Sequence, residues 1–210
     1  MESKGRFITL EGGEGTGKST LIQGLKSELE RRGLTVCVTR EPGGTPLAEQ
    51  VRSLALTPPV DQAWSPLSHA LLMNTARADH LEKRIRPALA QGDWVLCDRF
   101  ADSTRAYQSI DGVALDTLMM IERAVIEETQ PDITLILDAD PTALAERRHL
   151  RGTEDVFEAR DLAFHEKVRA AFLAVADAEP ARCVVLDALQ SPPQVLASAI
   201  QAIDARLDAT

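Results

Sequence analysis

The sequence predicts an α/β fold, with a five-stranded parallel sheet flanked by helices on both faces. Three observations carry this. Short apolar runs alternate with longer helical patterns along the whole chain, the runs are near-continuously hydrophobic rather than alternating, and no repeat or Gly/Ser linker interrupts them. In order, Phe7-Ile8-Thr9-Leu10 reads as the first strand, followed by a glycine-rich turn and a helix from about Lys18 to Arg32. Gly33 ends that helix, since glycine adopts the left-handed conformation that a helix C-terminus favours. Thr35 to Thr39, Trp94 to Cys97, Ile133 to Leu137 and Cys183 to Leu186 are the next four strands. Helical stretches are expected near 46–56, 66–91, 114–129, 141–150, 157–178 and 192–208, the last opened by Ser191-Pro192-Pro193. Residues 1–210 are read as one domain.

Composition narrows the function. With 44% hydrophobic residues but only 4% aromatics, the core must be built from Ala, Leu, Val and Ile. The balance of 23 basic to 32 acidic residues, a formal charge of −9, excludes the basic footprint of a nucleic-acid coat. No apolar stretch approaches the ~20 residues of a membrane span, and the N-terminus has no signal-peptide core, so a cytoplasmic protein with no membrane partner is expected. Cys37, Cys97 and Cys183 sit singly in β-branched apolar runs and read as buried small hydrophobes. The four histidines (69, 80, 149, 165) form no His-x-x-x-His pair, which disfavours a metal held by ring nitrogens.

Gly12-Gly13-Glu14-Gly15-Thr16-Gly17-Lys18-Ser19 matches G-x-x-x-x-G-K-[ST] at every fixed position, between a strand and a helix. Glycines let successive backbone N–H groups turn inward around a phosphate, and the helix N-terminus adds its positive end. Lys18 is expected on the β- and γ-phosphates of ATP and the Ser19 hydroxyl on Mg²⁺, with Thr20 completing the loop. The fold is therefore of the P-loop NTPase type. The only asparagine, Asn74, precedes Thr-Ala, so a guanine-reading Asn-Lys-x-Asp is absent. Asp98-Arg99 closes the third strand at the sheet's C-terminal edge, where open α/β sheets bind ligands. An aspartate there can hold a Mg²⁺-bound water, and an arginine can fork onto a phosphate.

With those residues in view the chain resembles bacterial thymidylate kinases. The resemblance runs from Ile8–Thr20 through Thr39-Arg40-Glu41-Pro42-Gly43-Gly44-Thr45 and Ala76-Arg77. It continues with Asp98-Arg99, Asp102-Ser103-Thr104-Arg105-Ala106-Tyr107-Gln108, Pro131-Asp132, Leu137-Asp138, Arg147–Glu158 and Leu186-Asp187-Ala188. It implies that Glu14 addresses the acceptor's 3′-OH, that Arg77 and Arg99 hold the acceptor phosphate, that Thr104 and Gln108 lie near the thymine, and that Ser103 belongs to the acceptor site. Tyr107 would crowd the 2′ position, Pro42 would follow a cis peptide bond, and Glu41 and Arg52 would complete the acceptor site. The resemblance further implies a homodimer, for which the Ala- and Leu-rich helices at 66–91 and 114–129 are candidate faces.

Residues 147–160 are densely charged without an apolar face and resemble the family's short, arginine-bearing lid over ATP. The variable positions of the phosphate loop contain no arginine, so Arg147 and Arg151 are the expected suppliers of charge to the moving phosphoryl group. Three positions depart from the family pattern. Met73 stands where an aromatic stacks on the base, His149 where related enzymes carry arginine, and Asp155-Val156 where an Asp-Arg pair is usual. The reaction these features imply is γ-phosphoryl transfer from Mg·ATP to dTMP. Two other readings stay open on residues alone: a kinase for another monophosphate such as dUMP or CMP, and a regulatory ATP-binding module.

Overall fold

The computed structural model describes residues 5–58, 62–144 and 160–207. The elements are β1 (Arg6–Glu11), α1 (Lys18–Arg31), β2 (Val36–Arg40), α2 (Pro46–Leu56) and α3 (Pro66–His80), a π-helical turn (Leu81–Ile85), and α4 (Arg86–Ala90). There follow β3 (Trp94–Asp98), α5 (Ala101–Ile110), α6 (Leu115–Ile126), β4 (Ile133–Asp138), α7 (Leu162–Ala178), β5 (Cys183–Asp187) and α8 (Pro192–Leu207). The five strands form one all-parallel sheet in the order β2-β3-β1-β4-β5. β1 lies at its centre, with Ile8 opposite Leu96 on one side and Ile133 on the other.

Alternate side chains of each strand face opposite layers. Ile8, Leu10, Leu96, Leu135 and Leu137 pack under Leu21, Ile22, Leu25 and Leu29 of α1 and Val195, Ala199 and Ile203 of α8. Phe7, Val95 and Cys97 face the other way, against Leu81, Ile85, Phe100 and Ile126. Ile136 and Cys183 meet Tyr107 of α5 and Phe164, Val168 and Phe172 of α7 on that same face. Both faces are covered, which explains why the strands read as continuous apolar runs. Two polar side chains inside the sheet satisfy each other: buried Thr9 and Thr134 share a 2.7 Å hydrogen bond.

The helix expected over 66–91 is continuous but contains the π turn. Pro87, one residue into α4, has no N–H to offer the Lys83 carbonyl, and its ring would strike that carbonyl in a regular helix. The wider turn at Leu81–Ile85 accommodates it.

Four expectations are corrected. The sequence reading placed no helix at 101–110, yet α5 is there, because the face it buries includes Asp102, Thr104 and Gln108 and so shows no apolar periodicity. α7 starts at Leu162 rather than 157, with Asp161 as its N-cap accepting from Phe164 N at 2.9 Å. Residues 141–144, expected as the start of a helix, form a turn instead. Of the three cysteines, Cys97 and Cys183 are buried as expected, but Cys37 is half-buried. The lid candidates Arg147 and Arg151, with His149, Asp155 and Val156, lie outside the described residues.

Candidate active site

β1 ends at Glu11, and the chain turns sharply into the phosphate loop. Gly12 has φ +127°, and a Cβ there would collide with the Leu137 carbonyl of neighbouring β4, so only glycine fits. Thr16 Oγ1 donates to the Gly13 carbonyl at 3.0 Å, closing the loop before α1 begins at Lys18. Lys18 Nζ donates to the Gly12 and Gly13 carbonyls at 3.1 and 2.9 Å. Burial, and then the nearby Arg99 charge, push its pKa down to about 8.

Across the loop, β3 delivers Asp98 and Arg99. Ser19 Oγ donates to Asp98 Oδ2 at 3.4 Å, while Asp98 Oδ1 is buried with no hydrogen-bond partner among the described residues. A hydroxyl beside a carboxylate with a spare oxygen suits Mg²⁺, a hard ion that takes oxygen ligands and needs few from protein when phosphates supply the rest. Arg99 has φ +69°, a left-handed conformation that costs a non-glycine residue roughly 1 kcal/mol. Its N–H bond to the Leu10 carbonyl at 2.9 Å holds the backbone there. Its guanidinium donates to the Gly12 carbonyl (3.0 Å), Ser103 Oγ (3.1 Å) and Glu14 Oε1 (2.5 Å), and lies 5.3 Å from the Tyr107 ring. Tyr107 Oη also donates to Glu14 Oε1, at 3.1 Å.

Between the loop, the Arg40–Thr45 turn, α3 and α5 lies a cavity of about 270 Å³. All the residues expected around the acceptor line it: Glu14, Glu41, Pro42, Arg52, Met73, Arg77, Arg99, Ser103, Thr104, Tyr107 and Gln108. Lys18, Ser19 and Asp98 line its loop end, and Arg40, Leu56 and Phe100 are additional wall residues. The Glu41–Pro42 peptide bond is cis, as the resemblance implied. Arg52 Nη1 donates to the Pro42 carbonyl at 2.8 Å. Arg77 is buried, with Nε on Glu41 (2.7 Å), Nη1 on Asn74 (2.9 Å) and Nη2 on Thr104 (3.0 Å). It thus reaches Thr104, one of the residues expected near the thymine. Gln108 Nε2 is buried without a hydrogen-bond partner among the described residues.

Sequence reasoning missed Glu11. Fully buried, its Oε1 accepts from Phe100 N (2.7 Å) and Ser103 N (3.3 Å), and its Oε2 from Ser103 Oγ (2.6 Å). Phe100 gives α5 no side-chain cap, so Glu11 caps that helix from β1. Burial, followed by the Asp102 charge, raises its pKa to about 7. An acid closing an otherwise apolar strand was the available signal.

A sequence model of the thymidylate kinase family matches residues 10–200. The chain belongs to the thymidylate kinase family. The thymidylate kinase of Caulobacter vibrioides is 51% identical over 187 residues, 89% of either chain. That of Bradyrhizobium sp. (strain BTAi1) is 47% identical over 208 residues, covering 97% of this chain and 92% of the relative. The crystal structure of thymidylate kinase from Ehrlichia chaffeensis matches with a TM-score of 0.79 at 34% identity, covering 95% of this chain and 98% of that one. The agreement spans almost the whole chain rather than the phosphate loop alone.

Proposed function

We propose that the chain, as a single kinase domain, transfers the γ-phosphoryl group of Mg·ATP to the phosphate of dTMP, giving dTDP and ADP. The observation that carries this is the placement of one cavity against a phosphate loop. Its loop end is cationic, and its far end presents Thr104 and Gln108, whose Nε2 has no hydrogen-bond partner among the described residues. At neutral pH a monophosphate, with a second pKa near 6, is already largely dianionic, so no strong general base is required. The task is to align two anions and neutralise the charge between them. Lys18 moves from the loop carbonyls to the donor's β- and γ-phosphates. Arg99, joined across the cavity by Arg52, holds the acceptor phosphate. Arg77, expected from the sequence to share that phosphate, is assigned instead to the base end, because it is bonded to Thr104. Gln108 Nε2 offers a donor to a pyrimidine carbonyl, Glu14 takes the 3′-OH, and Tyr107 leaves no room for a 2′-OH.

Mg²⁺, held by Ser19 and, partly through water, by Asp98, would neutralise phosphate charge when bound with ATP. The sequence-based candidates Arg147 and Arg151 supply further charge from the lid. The enzyme is read as cytoplasmic, in keeping with three free cysteines, and no helix among the described residues is long and apolar enough to cross a membrane. Its partner is a second copy, seated on the exposed leucines of α2 and α3: Leu47, Leu54, Leu67 and Leu71.

ADP release from Mg·ATP, with dTMP, dUMP, UMP, CMP, AMP and thymidine offered separately, tests the assignment. Fast turnover with dTMP supports it, and silence with every acceptor despite ATP binding overturns it. Met73 in the cavity wall, in place of a stacking aromatic, favours one secondary outcome, which is measurable turnover of dUMP.

A further inference from the structure

Behind the cavity wall lie two buried polar side chains, Thr39 and His80, that the transfer itself does not use. His80 is fully buried one helical turn after Arg77. Its Nδ1 lies 3.0 Å from Glu41 Oε1 and its Nε2 2.6 Å from Thr39 Oγ1. The other Glu41 oxygen accepts from Arg77 Nε at 2.7 Å, and Arg77 reaches on to Thr104 at 3.0 Å. A carboxylate paired with arginine only accepts, so Nδ1 donates to Glu41, while Nε2 and the Thr39 hydroxyl share the second hydrogen bond. Each Glu41 oxygen therefore has its own donor, and the carboxylate cannot rotate away from Arg77. The same ring packs against Gly44, where a Cβ would collide with it and with Thr39 Oγ1. The turn that carries Glu41 and Pro42 is thereby clamped to α3.

We propose that His80 is a positioning residue for acceptor recognition, fixing Glu41 and through it the Arg77 guanidinium at the base end of the cavity. A buried histidine between a carboxylate and a hydroxyl costs more to desolvate than an apolar residue of the same size. The relay terminates on two residues that line the cavity, Arg77 and Thr104. The proposal rests on the reading that this cavity takes dTMP with Arg77 at the base.

The test compares His80→Asn with His80→Gln by steady-state kinetics on the full chain. Asparagine keeps an N–H where Nδ1 was and so still serves Glu41. Glutamine sends its amide toward Thr39 and leaves that oxygen of Glu41 unserved. The expected result is a KM for dTMP close to wild type in His80→Asn and raised about tenfold or more in His80→Gln. Turnover number and the KM for ATP should change less than about threefold in both. In an Arg77→Ala background, the difference between the two should vanish. Equal dTMP KM values in the two His80 variants overturn the proposal, as does a difference that persists without Arg77. If Arg77→Ala itself leaves the KM for dTMP unchanged in an active enzyme, the proposal falls with Arg77's own assignment rather than with the relay. Because KM does not depend on the fraction of folded enzyme, a merely structural His80 would not produce this pattern.

Discussion

Lys18 is a cation held by two carbonyls of the phosphate loop, with its pKa pushed down to about 8 by burial and by Arg99. Phosphate oxygens placed against it would raise that pKa again. Mg·ATP binding at pH 8 to 9 should therefore take up protons, visible as a calorimetric heat that depends on buffer ionisation enthalpy. The uptake should disappear in Lys18→Met. Lys18→Ala and Arg99→Ala should each lower turnover by roughly a hundredfold or more, with circular dichroism unchanged, since each removes charge from the line of transfer. Glu11 carries the opposite kind of shift. Its pKa in the fold, about 7 against an ordinary 4.5, means that the folded chain keeps a proton the unfolded chain has lost. The associated stability is fully present below about pH 4.5 and is lost as pH rises through 7. The urea stability of Glu11→Gln relative to wild type should thus increase between pH 5 and pH 8. A constant difference would refute the shifted titration.

Caps and turns decide where the helices begin, and two substitutions isolate them. Asp161→Ala removes the side-chain acceptor for Phe164 N and should destabilise the chain by about 1 kcal/mol in urea. Gly44→Ala, at φ +86°, drives a methyl into His80 and should both destabilise the fold and raise the KM for dTMP, because the displaced turn carries Glu41. The elements that the sequence made legible are those whose buried face is apolar. The five strands, α1, α2 and α8 follow their hydrophobic patterns to within about two residues, because a two-layered core requires them to. α5 escaped for the converse reason. It spends its inner face on Asp102, Thr104 and Gln108, and borrows its cap from Glu11, a residue 90 positions before it begins. The phosphate loop was legible because its chemistry demands a local string, and the Glu41-Pro42-Gly43-Gly44 turn through the family resemblance. The site was illegible where function depends on partners brought together by the sheet, as with Glu11 and His80.

At the scale of the whole molecule, the strand order places the C-terminal ends of β1, β2 and β3 side by side, so the phosphate loop, the Glu41 turn and Asp98-Arg99 share one edge. If the leucines of α2 and α3 meet a second copy, Leu71→Glu should shift the protein from dimer to monomer in light scattering. The two layers meet in the long helix from Pro66 to Ala90, whose first part faces the cavity through Met73 and Arg77 and whose second packs Leu81, Ile85 and Ala88 on the sheet. The π turn sets the phase between these parts. Removing one residue from Leu81–Ile85 would give a more regular helix, but each residue advances the helix by about 100°, so one part would be turned out of place relative to the other. This stretch can therefore vary in composition more freely than in length: a deletion that improves it as a helix would dismantle either the floor of the pocket or the lining of the core.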